Sequence, residues 1–158
     1  MAFQVRRVIT GHDKQGRAIV KIDEVSKNAV SGRPGATACN IWTTEGFPVT
    51  NNGDADESQR KVSTTLKNGT IFRVIEFAPG VAARNHRTDS IDYIVVMAGE
   101  IDMDLDDSSV HLKAGDVMVQ RGTIHNWVNR GTAPSVLAVV LVDAKSVQAG
   151  GKILPAVG

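Results

Sequence analysis

Apolar residues recur along this chain with a period of two, in short runs separated by clusters of Gly, Asp, Asn and Ser. That is the pattern of β-strands joined by turns. In one run Ile101, Met103 and Leu105 share a face and Asp102, Asp104 and Asp106 share the other; Asp107-Ser108-Ser109 then turns the chain into Val110–Leu112. The same reading predicts strands over Gln4–Thr10, Ala18–Asp23, Ala38–Thr44, Ile71–Phe77, Val81–Thr88, Ile91–Ala98, Val117–Gln120, Ile124–Asn129 and Ser135–Val142. Val25–Thr37, interrupted by Gly32, Pro34 and Gly35, reads as a loop with room for one helical turn, and Asn51–Arg60 as an exposed loop. Asp143–Gly158, rich in Ala, Gly and Lys, reads as a partly helical or loose tail. Many short strands without βα alternation predict an all-β sandwich or barrel.

Ile91–Ala98 is apolar on both faces, with Ile94, Val96 and Ala98 on one side and Ile91, Tyr93, Val95 and Met97 on the other. A strand buried twice needs a layer outside the barrel, which the N-terminal strands or a second subunit could supply. A chain of 158 residues fits one domain, 1–158, with a core barrel at about 71–143 and an N-terminal strand extension at 1–70. The formal charge of +1 is spread along the chain, which argues against nucleic acid as a partner, and no basic amphipathic stretch suggests a membrane surface. The first residues lack the apolar run of a signal peptide, and the single cysteine, Cys39, cannot form an internal disulfide. A cytoplasmic location is the expectation.

Chemistry-bearing residues concentrate in two segments. His86, Thr88 and Asp92 lie at even offsets and share a face if the backbone is extended; His125, Trp127 and Asn129 do the same. Arg73 lies on the apolar face of its strand with Ile71, Ile75 and Phe77, where it could bind a carboxylate or phenolate or reach solvent at a sheet edge. No glycine-rich phosphate loop opens a helix, so no nucleotide cofactor is expected.

The spacing of Gly80, His86, Thr88, Asp92 and Gly99, followed by Gly115, Gly122, His125 and Asn129, resembles the two motifs of the cupin family. Ile41–Pro48 and Gln120-Arg121-Gly122-Thr123 are similar to a group of small bacterial and fungal cupins. The resemblance implies a double-stranded β-helix, or jelly-roll barrel, that is often dimeric, with a homodimer expected here. The chain departs from the family pattern at three places: Thr88 stands for the second His, Asp92 for the Glu, and Gln120 for the Pro, with one residue fewer before it.

The resemblance implies a small-molecule site with His86, Asp92 and His125 as its catalytic and metal-binding groups. Arg73, Thr88, Trp127 and Asn129 are then expected around the ligand. Two imidazoles and a carboxylate suit a divalent metal, Fe, Zn, Mn or Ni, with positions left open for oxygen chemistry or Lewis-acid catalysis. The expected function is a metal-assisted oxygenase, isomerase or lyase on a small carbonyl-bearing or aromatic metabolite. Two alternatives stand beside it: a metal-free acid–base isomerase or dehydratase, in which a His beside an Asp titrates near neutrality, and a non-catalytic ligand-binding module.

Overall fold

The computed structural model describes residues 3–158. Thirteen strands form: β1 (Arg6–His12), β2 (Ala18–Val25), β3 (Ala29–Arg33), β4 (Ala36–Glu45), β5 (Gly69–Phe77), β6 (Ser90–Ala98), β7 (Glu100–Asp104), β8 (Ser109–Lys113), β9 (Val117–Arg121), β10 (Asn126–Val128), β11 (Ser135–Asp143), β12 (Val147–Ala149) and β13 (Lys152–Leu154). A six-stranded sheet in the order β3-β4-β5-β11-β6-β9 faces a three-stranded sheet, β10-β7-β8. The non-sequential order of antiparallel neighbours is that of the double-stranded β-helix.

Period two decides which side chains meet. Leu137 of β11 is opposite Ile75 of β5 and Val96 of β6; Val139 is opposite Arg73 and Ile94; Leu141 is opposite Ile71 and Asp92. These rows point inward and close on Ile101, Met103, Leu112 and Trp127 of the small sheet, forming one core in which Ile71 and Leu137 are fully buried. Arg73 and Asp92 therefore interrupt an otherwise apolar wall. Gly99, at φ +70°, makes the tight passage from β6 to β7; a Cβ there would stand 2.6 Å from the Pro134 carbonyl oxygen.

Four expectations change. Val25–Thr37 is not a loop: β3 and the start of β4 pair as a hairpin across Pro34-Gly35. Val81–Thr88 is mostly irregular. Its N–H groups bond outside any ladder, Ala82 to the Pro34 carbonyl and Arg84 to Asn126 Oδ1, and only His86 and Arg87 make isolated bridges. A single 3₁₀ turn, Glu57–Gln59, forms in the polar loop, capped by the Asp56 side chain. The tail forms the β12–β13 hairpin and then runs beside residues 84–89, bridging Arg87 through Val157.

The outer layer of the large sheet is only partly supplied by the N-terminal segment. Phe3 and Val5 pack against Cys39, Ile41 and Val74. The β1–β2 hairpin is held by Arg7, whose buried guanidinium pairs with Glu24 (2.7 Å) and Asp56 (2.5 Å). Tyr93, Val95 and Met97 of β6 and Val117 and Val119 of β9 stay exposed.

Asn129, expected beside the ligand, does structural work instead. Its Nδ2 donates to the Phe77 and Ala133 carbonyls, both at 2.9 Å, and its Oδ1 accepts from the Gly131 N–H at 2.9 Å. No hydrogen-bonding capacity is left to face a ligand through Nδ2. Asn129→Ala strands these buried carbonyls and is expected to lower stability by about 2–4 kcal/mol. Urea unfolding measures this; a loss below roughly 0.5 kcal/mol contradicts the clamp.

Candidate functional site

Two chain connections meet at one end of the barrel. His86 belongs to the segment between β5 and β6, and His125 immediately precedes β10. Their main chains exchange two hydrogen bonds, N–H to carbonyl in both directions, each 2.9 Å. The exchange sets the two rings against each other, with centroids 4.3 Å apart and planes at 47°. Gly122, at φ +62°, lets β9 turn toward His125; a Cβ there would meet Val147 Cγ2 at 2.6 Å.

Each ring has its Nδ1 against a backbone carbonyl, Arg84 for His86 and Thr123 for His125, both at 3.0 Å. A carbonyl only accepts, so Nδ1 carries the proton in both rings and Nε2 keeps its lone pair. Gln120 fixes the acceptor of the second ring: its Nε2 donates to the Thr123 carbonyl (2.8 Å), the same oxygen that receives His125 Nδ1–H. Trp127 presents its indole edge-on to His125, ring centroids 6.2 Å apart, and also packs near Phe77. It is part of the core cluster as well as a wall of the site.

Burial pushes the His86 imidazole down to about 4, helped by the positive charges of His125, Arg84 and Arg33. Burial also lowers His125, again with Arg84 and Arg33 adding to it. Both rings are therefore neutral at pH 7. Among the described residues neither ring has a hydrogen bond to an Asp or Glu, so the expected His–Asp pair is not formed.

Asp92 is engaged elsewhere. Its Oδ1 accepts from Ser90 Oγ at 2.6 Å, and Ser90 Oγ lies 2.8 Å from Thr88 Oγ1. Ser90 has one hydroxyl hydrogen, given to Asp92, so Thr88 donates to Ser90. The chain Thr88–Ser90–Asp92 is buried throughout. Burial raises the Asp92 carboxyl, opposed by Ser90 and by the charge of Arg73. Arg73 faces inward, gives Nη2 to the Ser63 carbonyl (2.7 Å), and has its Nε buried without a partner.

Thus His86 and His125 come together, while Asp92 is hydrogen-bonded to Ser90 and feels the charge of Arg73. Among the described residues no group of three or more His, Cys, Asp or Glu is arranged to hold a metal ion. The expected three-ligand set is not gathered, because the short Asp92 side chain is bound along its own strand by Ser90. Ser90, Gln120, Arg33 and Arg84 were not among the expected site residues. Ser90 and Arg84 share the even offsets of His86, Thr88 and Asp92, the one signal that pointed to them. Two surface hollows, one lined by Asn28, Asn40, Ser58 and Arg60 and one by the β12–β13 hairpin, include none of these residues.

Comparison with known proteins agrees with this architecture. The family model "Cupin domain" matches residues 73–142. A protein of Aspergillus ruber, named cupin-domain-containing oxidoreductase fogC, is 38% identical over 157 residues, covering 94% of this chain and 77% of that protein. The chain belongs to the cupin family. Phomopsin biosynthesis cluster protein C' of Diaporthe leptostromiformis is 37% identical, covering 94% of this cupin and 83% of that protein. The crystal structure of an RmlC-like cupin from Shewanella frigidimarina superposes with a TM-score of 0.50 at 15% identity, covering 74% of this chain and 84% of that one, a likeness of fold.

The lowered imidazoles give the metal-free cupin a pH signature. Unfolded histidine titrates near 6.5 and folded His86 near 4, so between these values the unfolded chain binds more protons. The stability that neutral His86 contributes is full above about pH 6.5 and is lost as pH falls toward about 4. With a chelator present, urea unfolding from pH 7 to 4 is expected to show a smaller loss for His86→Gln than for the parent. Parallel curves contradict a depressed His86.

Proposed function

We propose that this cupin is an enzyme of the oxidoreductase type that acts on a small oxygen-bearing metabolite at the His86–His125 pair. The observation that carries this reading is the pair itself: two buried neutral imidazoles 4.3 Å apart, each with Nδ1–H fixed on a carbonyl and Nε2 free. Imidazoles held in this way by backbone carbonyls are pre-oriented donors. The name of the Aspergillus ruber relative supports an oxidoreductase, and that of the Diaporthe leptostromiformis relative supports a place in biosynthesis of small molecules.

His86 and His125 are the residues that would hold a divalent metal, Fe, Mn, Ni or Zn, at this site. Such an ion, when bound, supplies Lewis-acid or oxygen-activating chemistry. The protein's own part is to keep both Nε2 lone pairs available, to pack Trp127 against His125, and to offer the unpartnered Arg73 Nε to a substrate oxygen. Thr88 and Ser90 hold the proton chain to Asp92. A second reading rests on that chain: a buried carboxyl held above its ordinary value by desolvation can give and take a proton, which suits a metal-free isomerase or dehydratase.

Titration with Co(II) separates these. Visible absorption bands that appear with the parent and with the exposed-site control His111→Ala, but not with His86→Ala or His125→Ala, are the expected result. No His86-dependent binding of Co(II), Fe(II), Mn(II), Ni(II) or Zn(II) overturns the metal-assisted reading and leaves acid–base chemistry or simple ligand binding.

The partner proposed for the exposed apolar face is a second copy of this chain. Tyr93, Val95, Met97, Val117 and Val119 present a contiguous surface on paired strands. Sedimentation is expected to give a dimer, shifted to monomer by Val119→Lys without loss of fold; a monomeric parent contradicts it.

A further inference from the structure

The barrel end that holds His86 and His125 also gathers two arginines. Arg33, at the end of β3, has a guanidinium bound only to neutral acceptors. Its Nε donates to the Ala82 carbonyl (2.5 Å), and its Nη2 to Asn126 Oδ1 (3.2 Å) and the Trp127 carbonyl (3.0 Å). Its charged carbon lies 6.0 Å from the Phe77 ring centroid, within cation–π range. Asn126 Oδ1 accepts a second bond from the Arg84 main-chain N–H at 2.8 Å. One amide oxygen thus ties together Arg33, the residue after His125, and the chain two residues before His86. The Arg84 side chain reaches only the Gly158 main-chain oxygen, at 2.9 Å.

Arg6, Arg7, Arg17, Arg60 and Arg130 each pair with at least one Asp or Glu. Among the described residues, neither Arg33 nor Arg84 has an Asp or Glu partner. Arg73, Arg87 and Arg121 also have no Asp or Glu partner among the described residues, but Arg33 and Arg84 differ from them in acting together on the two imidazoles. Arg33 is partly buried, Arg84 acts on it as a repelling charge, and both arginines repel protons from the two imidazoles. Asp92, a buried carboxylate of the barrel, is bonded to Ser90 and is not among the charges acting on Arg33. A partly buried guanidinium held without an acidic partner, as Arg33 is, costs free energy. An arriving anion would remove that cost and gain charge-assisted hydrogen bonds.

We propose that the metabolite handled at His86 and His125 is an anion whose carboxylate or phenolate oxygen is received by Arg33 and Arg84. The proposal rests on the reading of the histidine pair as the site and names the class of molecule that reaches it. Binding energy from the charged group would hold the rest of the molecule against the free Nε2 atoms.

The test uses the full chain with ¹⁵N-labelled imidazoles, whose four histidines are assigned by substitution. Benzoate and 2-oxoglutarate are the anionic probes and benzamide the neutral one. The expected result is that a carboxylate shifts the His86 and His125 resonances, that benzamide binds at least about tenfold more weakly, and that Arg84→Gln weakens the carboxylate by about tenfold. Arg84→Gln removes only one surface contact, so its thermal midpoint stays near the parent's; Arg33→Lys, which keeps the charge, retains more binding than Arg33→Gln. Equal binding of benzoate and benzamide overturns the anion while leaving the histidine site in place. So does carboxylate binding that depends on Arg73 and not on Arg84, or binding that leaves both imidazoles unshifted. Failure of every carboxylate to bind also overturns it, and the Co(II) titration still reports on the histidine pair independently.

Discussion

The site depends on the two hydrogen bonds that His86 and His125 exchange through their main chains. They join the segment before β6 to the segment before β10, so two parts of the chain from opposite sheets are fixed to each other at one place. The bond pattern also sets the side chains, because both residues then point into the same space. Ring separation, burial and the choice of protonated nitrogen follow from it. The Asn129 clamp and the Gly80 N–H bond to the Asn129 carbonyl (3.0 Å) hold the end of β5 in place from the other side. Removing this local order would leave the sheets paired and the histidines unaligned.

The interior is electrostatically divided. At one end the charges of Arg33 and Arg84 act on the two histidines. Along the wall of the large sheet, Arg73 and Asp92 partly balance each other. Desolvation acts in opposite directions on the buried groups: it lowers His86 and His125 and raises Asp92, while the arginines keep their charge. The result is a barrel with neutral imidazoles set near charged guanidinium groups, and with Thr88 and Ser90 joined by hydrogen bonds to Asp92. A charged, polar ligand entering such a space meets donors that need no rearrangement.

Much of this was legible in the sequence, for identifiable reasons. Period two in Ile101–Leu105 and Ser135–Val142 marks strands because each has one face in the core, and Gly99 marks a turn because only glycine fits against Pro134. The pairing of His86 with His125 follows from motif spacing. The β3–β4 hairpin was hidden because its outward Val30 and its Pro34-Gly35 turn carry no alternation. Val81–Thr88 read as a strand because its side chains alternate, although its N–H groups find partners outside a ladder. Arg33 and Asn126 could not be placed at the site from sequence: they are 93 residues apart, and nothing local announces that one side-chain oxygen will join them. The role of Asn129 was misplaced because position in a motif says where a residue lies and not which way its amide is spent.

The structure keeps Asp92 apart from the two histidines through a coupling that pattern matching does not represent. Two departures from the cupin motif, Thr88 for His and Asp92 for Glu, look like independent losses. The structure connects them through Ser90, whose single hydroxyl hydrogen goes to Asp92 and whose oxygen accepts from Thr88. A shorter carboxylate suits this chain because it must meet a neighbour two residues away on its own strand rather than an ion in the barrel. A histidine placed at 88 would therefore not restore a metal-binding set by itself: Asp92 would remain bonded to Ser90 and drawn electrostatically to Arg73. Thr88, Ser90 and Asp92 are best understood as one hydrogen-bonded unit that replaces two ligands. The unit leaves His86 and His125 as the only imidazoles at this end of the barrel, set among arginines rather than carboxylates.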